Sequence, residues 1–192
     1  MQHLKLPHAL LSYEEKFWDT ATANEIFAVL LTEISWEHQP IKLFGKTHLQ
    51  PRLTAWYGDF AYTYSGLTLQ PKNWHSLLLK IKTQIEQATG FAFNAVLLNQ
   101  YRDGKDYMGW HADDEHGLGK NPVIASASFG TTRRFLLRKN DDHSQKQELP
   151  LSHGSLLVMA GETQSHYQHS IPKAMKVEGV RINLTFRKEG KA

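Results

Sequence analysis

At Gly90 the hydrophobic period of this chain changes, and that change narrows what the chain can fold into. Before Gly90 apolar side chains recur at helical spacing; after it they recur at every second position, as in a half-buried strand. Thr22-Ala-Asn-Glu25 reads as a capping box that opens one helix, with Ile26, Val29, Leu30 and Ile34 along its buried side. Pro71 reads as the start of a second helix, with Trp74, Leu77, Leu78, Ile81, Ile85 and Ala88 on one stripe, and Gly90 closes it. Between them, residues 41–49 alternate on both sides of Phe44-Gly45, the pattern of a hairpin. Six strands are expected over 93–101, 124–128, 134–138, 155–159, 165–169 and 180–187, and the polar run 139–147 reads as a loop. Helices first and strands afterwards indicate an α+β fold, with a sandwich or jelly-roll core braced by two helices.

A chain of 192 residues suffices for one domain with a real core, and 41% hydrophobic content argues against disorder. The absence of cysteine excludes disulfides, iron–sulfur clusters and thiol nucleophiles together. No run of eighteen apolar residues occurs, and the N-terminus lacks a signal-peptide core, so no membrane partner is expected. The net charge of +3, with a pI of about 9.0, suits a polyanionic partner without demanding one.

Chemistry concentrates in the strand-rich part. In Arg181-Ile-Asn-Leu-Thr-Phe-Arg187 the polar residues Arg181, Asn183, Thr185 and Arg187 share one face of a strand, and Ile182, Leu184 and Phe186 fill the other. Such a face turns either to solvent or to a cavity. Upstream, His111-Ala-Asp113 supplies an imidazole and a carboxylate within an acidic loop that continues as Asp114-Glu115. Eleven histidines make a chance H-x-D pair plausible, so the neighbourhood has to carry the reading. His169 stands just before Ile-Pro172, where proline stops a strand; His166, three residues earlier, is expected on the opposite face. His153 reads as a turn residue and His143 as part of the polar loop. Two imidazoles and one carboxylate make the facial triad of non-haem Fe(II), with open positions left over. Two guanidinium forks beside it suit a chelating dicarboxylate such as 2-oxoglutarate, which favours the cavity reading of the last strand.

Taken together, Phe44-Gly45-Lys46, Tyr57-Gly-Asp59, Tyr62-Thr63-Tyr64-Ser-Gly66, Asn99-Gln-Tyr101, His111-Ala-Asp113-Asp114-Glu115, Ser126-Ala-Ser-Phe-Gly130, His153-Gly-Ser-Leu-Leu157, His169-Ser-Ile-Pro172 and Arg181–Arg187 resemble the AlkB family of Fe(II)- and 2-oxoglutarate-dependent dioxygenases. The similarity runs from Ile41 to Arg187 and is strongest toward the duplex-acting animal homologues. It implies a single domain with a double-stranded β-helix core over about 91–188. About 1–90 would then hold helices and nucleotide-recognition hairpins. It also implies Fe(II) on His111, Asp113 and His169, with 2-oxoglutarate and O2 as cosubstrates. Asn99, Tyr101 and Arg181 would lie near the distal carboxylate, with Thr185 and Arg187 toward the chelating end and Asn183 also among the residues that bind the cosubstrate. The expected substrate is duplex DNA with an alkylated base, 1-methyladenine or 3-methylcytosine, flipped into the pocket. Tyr62, Thr63 and Tyr64 would line that pocket, and Asp114 or Glu115 would accept from the exocyclic amine. Phe44-Gly45-Lys46 would be a finger wedging into the gap, with Lys42, Lys46, His48 and Arg52 near phosphates. Position 64 departs from the pattern, with Tyr where the duplex-acting members carry Phe. A monomer is expected, in a bacterial cytoplasm or, in a eukaryote, the nucleus. Three alternatives stay open: the same chemistry on RNA, protein or a small molecule; a non-catalytic nucleic-acid-binding module; and a metal hydrolase, which would leave the arginines without a task.

Overall fold

The computed structural model describes residues 1–43, 46–64 and 67–190. The chain opens with a hairpin, β1 (Gln2–Leu6) and β2 (Ala9–Glu14), then α1 (Thr20–Glu33). Next come β3 (Pro40–Leu43), β4 (Lys46–Leu49), β5 (Leu53–Gly58), β6 (Tyr62–Tyr64), β7 (Leu67–Leu69) and α2 (Ser76–Thr89). The strand-rich part holds β8 (Ala95–Tyr101), β9 (Met108–His111), β10 (Ile124–Gly130), β11 (Arg133–Lys139), β12 (Lys146–Leu151) and β13 (Ser155–Ala160). It closes with a short helix α3 (Thr163–His166), β14 (Tyr167–Ile171) and β15 (Arg181–Arg187).

Two antiparallel sheets carry the architecture. The larger runs β1-β2-β13-β10-β15-β8-β5 and the smaller β12-β11-β14-β9, while β3-β4 and β6-β7 are separate hairpins. Strand alternation divides the large sheet into two faces. One face, with Val96, Leu98, Ala125, Ala127, Phe129, Ile182, Leu184 and Phe186, packs on Ile26 and Leu30 of α1 and on Leu78, Ile81 and Ile85 of α2. The other meets the small sheet through Tyr101, Ile124, Leu157 and Met159 against Phe135, Leu137, Leu149, Leu151, Tyr167 and Ile171. The result is three layers: helices, large sheet, small sheet. This is the expected jelly-roll core braced by two helices. At about 1.5–3 kcal/mol per fully buried aliphatic side chain, both interfaces stabilise the sheet that carries β15. Among the described residues no helix is long and apolar enough to cross a membrane.

Several expectations shift. The cap of α1 is Asp19, whose Oδ1 accepts from the Thr22 N–H at 2.7 Å, so the helix begins before the expected box. The second helix starts at Ser76 rather than Pro71, capped by His75. Pro71 and Lys72 run extended instead, because the Lys72 N–H donates to Trp56 O at 3.1 Å on the edge of β5. Gly90 closes α2 as expected, in the left-handed conformation with φ 76°. Residues 163–166 form α3, not the start of a strand, so His166 ends a helical turn and is not on the opposite face of β14. His111 ends β9 rather than lying in a loop. Strands β1, β2, β5, β6, β7, β9 and β12 were absent from the period reading.

Candidate metal centre and dicarboxylate cavity

The polar face of β15 looks inward. Arg181, Asn183, Thr185 and Arg187 are all buried and line a cavity between the two sheets. Asn99 and Tyr101 of β8, Ser126 of β10 and Leu97 add to the large-sheet wall; Phe135, His169 and Ile171 form the opposite one. Solvent is thus excluded as the destination of this face, because the small sheet covers it.

Antiparallel pairing of β9 with β14 sets His111 directly across from His169, with ring centroids 4.1 Å apart. The Asp113 carboxylate lies 3.9 Å from His111 Nε2 and 3.8 Å from His169 Nε2. One donor atom from each of the three falls within 4.8 Å of the others. His111 Nδ1 sits 3.0 Å from Gly109 O, which can only accept, so Nδ1 carries the proton and the Nε2 lone pair is left for a cation. Phe135 stacks on the His169 ring at 5.2 Å. Burial, and then the neighbouring His111, push His169 down to about 3, so its imidazole is neutral and able to ligate at ordinary pH. Burial alone would raise the Asp113 carboxyl, but Arg187, His169 and His111 outweigh it and hold the group ionised. The donor set therefore fits a divalent metal ion.

The far wall fits a carboxylate. Arg181 is 1% exposed, and its Nη2 donates to Ser128 Oγ at 2.9 Å. Its Nε and Nη1 find no hydrogen-bond partner among the described residues. A buried guanidinium with two unmet donors is costly unless an anion completes it. Burial lowers its pKa only to about 10, so it stays charged. Its guanidinium carbon lies 5.2 Å from the Tyr101 ring centre. Asn183 is committed to scaffold, donating to Ser126 Oγ and Ala127 O at 2.8 and 3.0 Å and accepting from Thr185. Arg187 stands at the metal end, Nη2 3.6 Å from Asp113 and Nη1 3.8 Å from Glu115.

Of the residues expected to meet a base, Glu115 lines the cavity and Asp114 is exposed. Arg52 departs from its expected place at a phosphate: it is buried in the cavity wall and donates from Nε to Asn99 Oδ1 at 2.7 Å. Lys46 and His48 are exposed on β4. Phe44 and Gly45 lie outside the described residues, as do the side chains of Lys42, Tyr62, Thr63 and Tyr64. His153 serves the turn as expected, accepting from the Gly130 N–H at 2.8 Å.

Two supporting residues escaped the sequence reading. Gln164 of α3 accepts from the Asp113 N–H at 2.9 Å through Oε1, and so sets the angle at which that carboxylate enters the cavity. Arg133 donates to Asp103 O, Asp106 O and Pro172 O at 3.0, 2.9 and 2.7 Å, tying the segments on either side of the site together. Neither carries a local signal, since buried Gln and Arg look like surface residues in a one-dimensional pattern. Gln164→Leu is expected to weaken metal binding about 10–100-fold while leaving the fold intact. A metal titration checks this, and unchanged affinity would show that Asp113 needs no such support.

The sequence profile of the 2OG-Fe(II) oxygenase superfamily matches residues 11–187. "Alpha-ketoglutarate-dependent dioxygenase alkB homolog 3" of Bos taurus is 46% identical over 180 residues, covering 89% of this chain and 63% of the relative. "DNA oxidative demethylase ALKBH2" of Homo sapiens is 42% identical over 199 residues, covering 97% of this chain and 76% of the relative. This chain thus spans less than two thirds of the length of the first of them. "The structure of OsALKBH1" superposes with a TM-score of 0.68 over 97% of this chain and 100% of that one; at 18% identity it shares the fold.

Proposed function

The chain belongs to the 2OG-Fe(II) oxygenase superfamily and, within it, to the AlkB family, and we propose that it is a dioxygenase that repairs N-alkylated bases in DNA. One observation carries the reading. The His111–Asp113–His169 cluster shares a buried cavity with the unmet Nε and Nη1 of Arg181. A hydrolytic metal site would have no use for that second feature.

In this reading His111 Nε2, Asp113 and His169 hold Fe(II), and Arg181 takes the distal carboxylate of 2-oxoglutarate. Asn99 and Tyr101 shape the same wall. Thr185 and Arg187 lie toward the metal, where Arg187 also offsets negative charge around Asp113. When bound, iron with 2-oxoglutarate and O2 supplies the oxidation of an N-methyl group to N-hydroxymethyl, with succinate and CO2 released; the hydroxymethyl amine then loses formaldehyde and restores the base. The protein's own task is positioning and exclusion of water. Met108, Phe135, Leu151, Met159 and Ile171 give the cavity its apolar lining. The names of the relatives support DNA as substrate, and the mildly basic surface is compatible with it.

The finer proposal is a base flipped from duplex DNA, bordered by Tyr62, Thr63 and Tyr64 and reached by Asp114 or Glu115, with Phe44-Gly45-Lys46 filling the vacated stack. A protein acting alone, as a monomer, suffices for this. The test is an assay of oligonucleotides carrying 1-methyladenine or 3-methylcytosine with Fe(II), 2-oxoglutarate and ascorbate. Formaldehyde and loss of the methyl group are expected; succinate without demethylation of any base would move the substrate elsewhere. Phe44→Ala is expected to cut activity on duplex at least about tenfold more than on single strands, the equivalent of unstacking losses near 1.4 kcal/mol. Equal losses on both substrates would remove the finger.

A further inference from the structure

On the far side of α3 from Asp113's partner lies a second cluster with metal-ligating chemistry. His8 Nδ1 stands 3.4 Å from Glu162 Oε2, and His166 Nε2 stands 3.7 Å from the same oxygen. The two imidazoles stack with centroids 4.6 Å apart and planes 19° apart. We propose that His8, Glu162 and His166 form a second, peripheral site for a borderline divalent cation, of which Zn2+ is the representative.

The geometry supports this. Donor atoms each about 2.0–2.1 Å from a tetrahedral ion stand roughly 3.4 Å from one another. The two imidazole–carboxylate separations, 3.4 and 3.7 Å, lie close to that span, and all three donor atoms fall within 4.8 Å of one another, as in the cavity trio. Glu162 and His166 are four residues apart across α3, so one helical turn presents both on one side. His8 comes from the β1–β2 turn, 154 residues away from Glu162, and adopts φ 57°, a conformation uncommon outside glycine. That turn is fixed against α3 by independent bonds: Leu10 N–H to Thr163 Oγ1 at 3.0 Å and Tyr167 O–H to Pro7 O at 2.8 Å. The three donors are therefore brought together by the fold as well as by their own contacts.

The donor types match those of the cavity trio, so exposure and intrinsic affinity decide which ion serves as the probe. Two imidazoles and a carboxylate with side-chain exposures of 56%, 38% and 54% for His8, His166 and Glu162 leave room for water in the remaining positions. Nitrogen–oxygen sites of this kind favour Zn2+, Ni2+ or Cu2+ over Fe2+ by intrinsic affinity. The consequence falls on α3, which bears Gln164 between Glu162 and His166. A cation there would clamp the helical turn whose Gln164 holds the Asp113 backbone.

The experiment is a calorimetric titration of the full chain with Zn2+, alongside His8→Ala, His166→Ala, Glu162→Gln and Asp113→Ala. Two equivalents are expected for the unaltered protein. Loss of the peripheral equivalent, or at least a thirtyfold weakening of it, is expected in the first three variants. Asp113→Ala should keep that equivalent and lose the other. All three peripheral side chains lie outside the apolar core, and any one folded variant decides the matter. A single equivalent in the unaltered protein, or a second that survives both His8→Ala and His166→Ala unchanged, would mean these side chains form only an ion-pair cluster.

Discussion

Asp113→Ala is expected to abolish 2-oxoglutarate turnover and formaldehyde release, by more than about a hundredfold, with the chain still folded. Partners that merely orient a metal ligand are worth about 10–100-fold, so removal of the ligand itself should exceed that range. Asp113 is the acidic member of the cavity trio, and it stands against His111, His169 and Arg187. Without it a divalent cation would meet two imidazoles beside the Arg187 guanidinium and no anionic donor from the trio. Two readouts separate chemistry from collapse: Fe(II) binding followed by titration, and far-ultraviolet circular dichroism for the fold. A folded variant that turns over 2-oxoglutarate at the unaltered rate would dissolve the metal assignment.

Arg181→Lys is expected to raise the KM for 2-oxoglutarate about 30-fold or more, with kcat changed far less. Truncating one side of a buried, hydrogen-bonded charge pair costs about 2–5 kcal/mol, and every 1.4 kcal/mol is about tenfold. Lysine keeps the charge but not the planar fork, so it cannot meet a carboxylate with two parallel bonds while also reaching Ser128. Because the distal carboxylate is remote from the reacting carbon, the loss falls on ground-state and transition-state binding alike, which appears in KM. The kinetic measurement is a 2-oxoglutarate saturation curve at fixed methylated oligonucleotide. A KM within a factor of about three of the unaltered protein would transfer the carboxylate to another residue.

The elements that could be read from residues alone were those specified by local period. The alternation of β15 and the stripe of α2 are visible over seven to fourteen residues; the first survives intact, and of the second Leu78, Ile81 and Ile85 are buried while Trp74 precedes the helix and Ala88 is exposed. The ends of elements were less legible, because they are settled by contacts distant in sequence. Pro71 could have opened α2, but the edge of β5 offered Lys72 a backbone acceptor and drew that segment out extended. Met108–His111 has no alternation of its own and becomes strand by pairing with β14. Residues 165–166 resemble a strand beginning, yet the backbone closes into α3 there, with the Ser165 and His166 N–H groups both donating to Glu162 O.

What residue order determined by itself was the chemistry on offer. Two imidazoles, one carboxylate and a strand with arginine at both ends were legible because side-chain type and a period of two are one-dimensional properties. Whether that strand's polar face met water or a cavity was decided only when the small sheet closed over it, burying Arg181 and Arg187 to 1% exposure. Placement of His169 across from His111 likewise depended on strand register, and the angle of Asp113 on a glutamine fifty-one residues away. Burial and register arise from long-range pairing, and no local pattern encodes them.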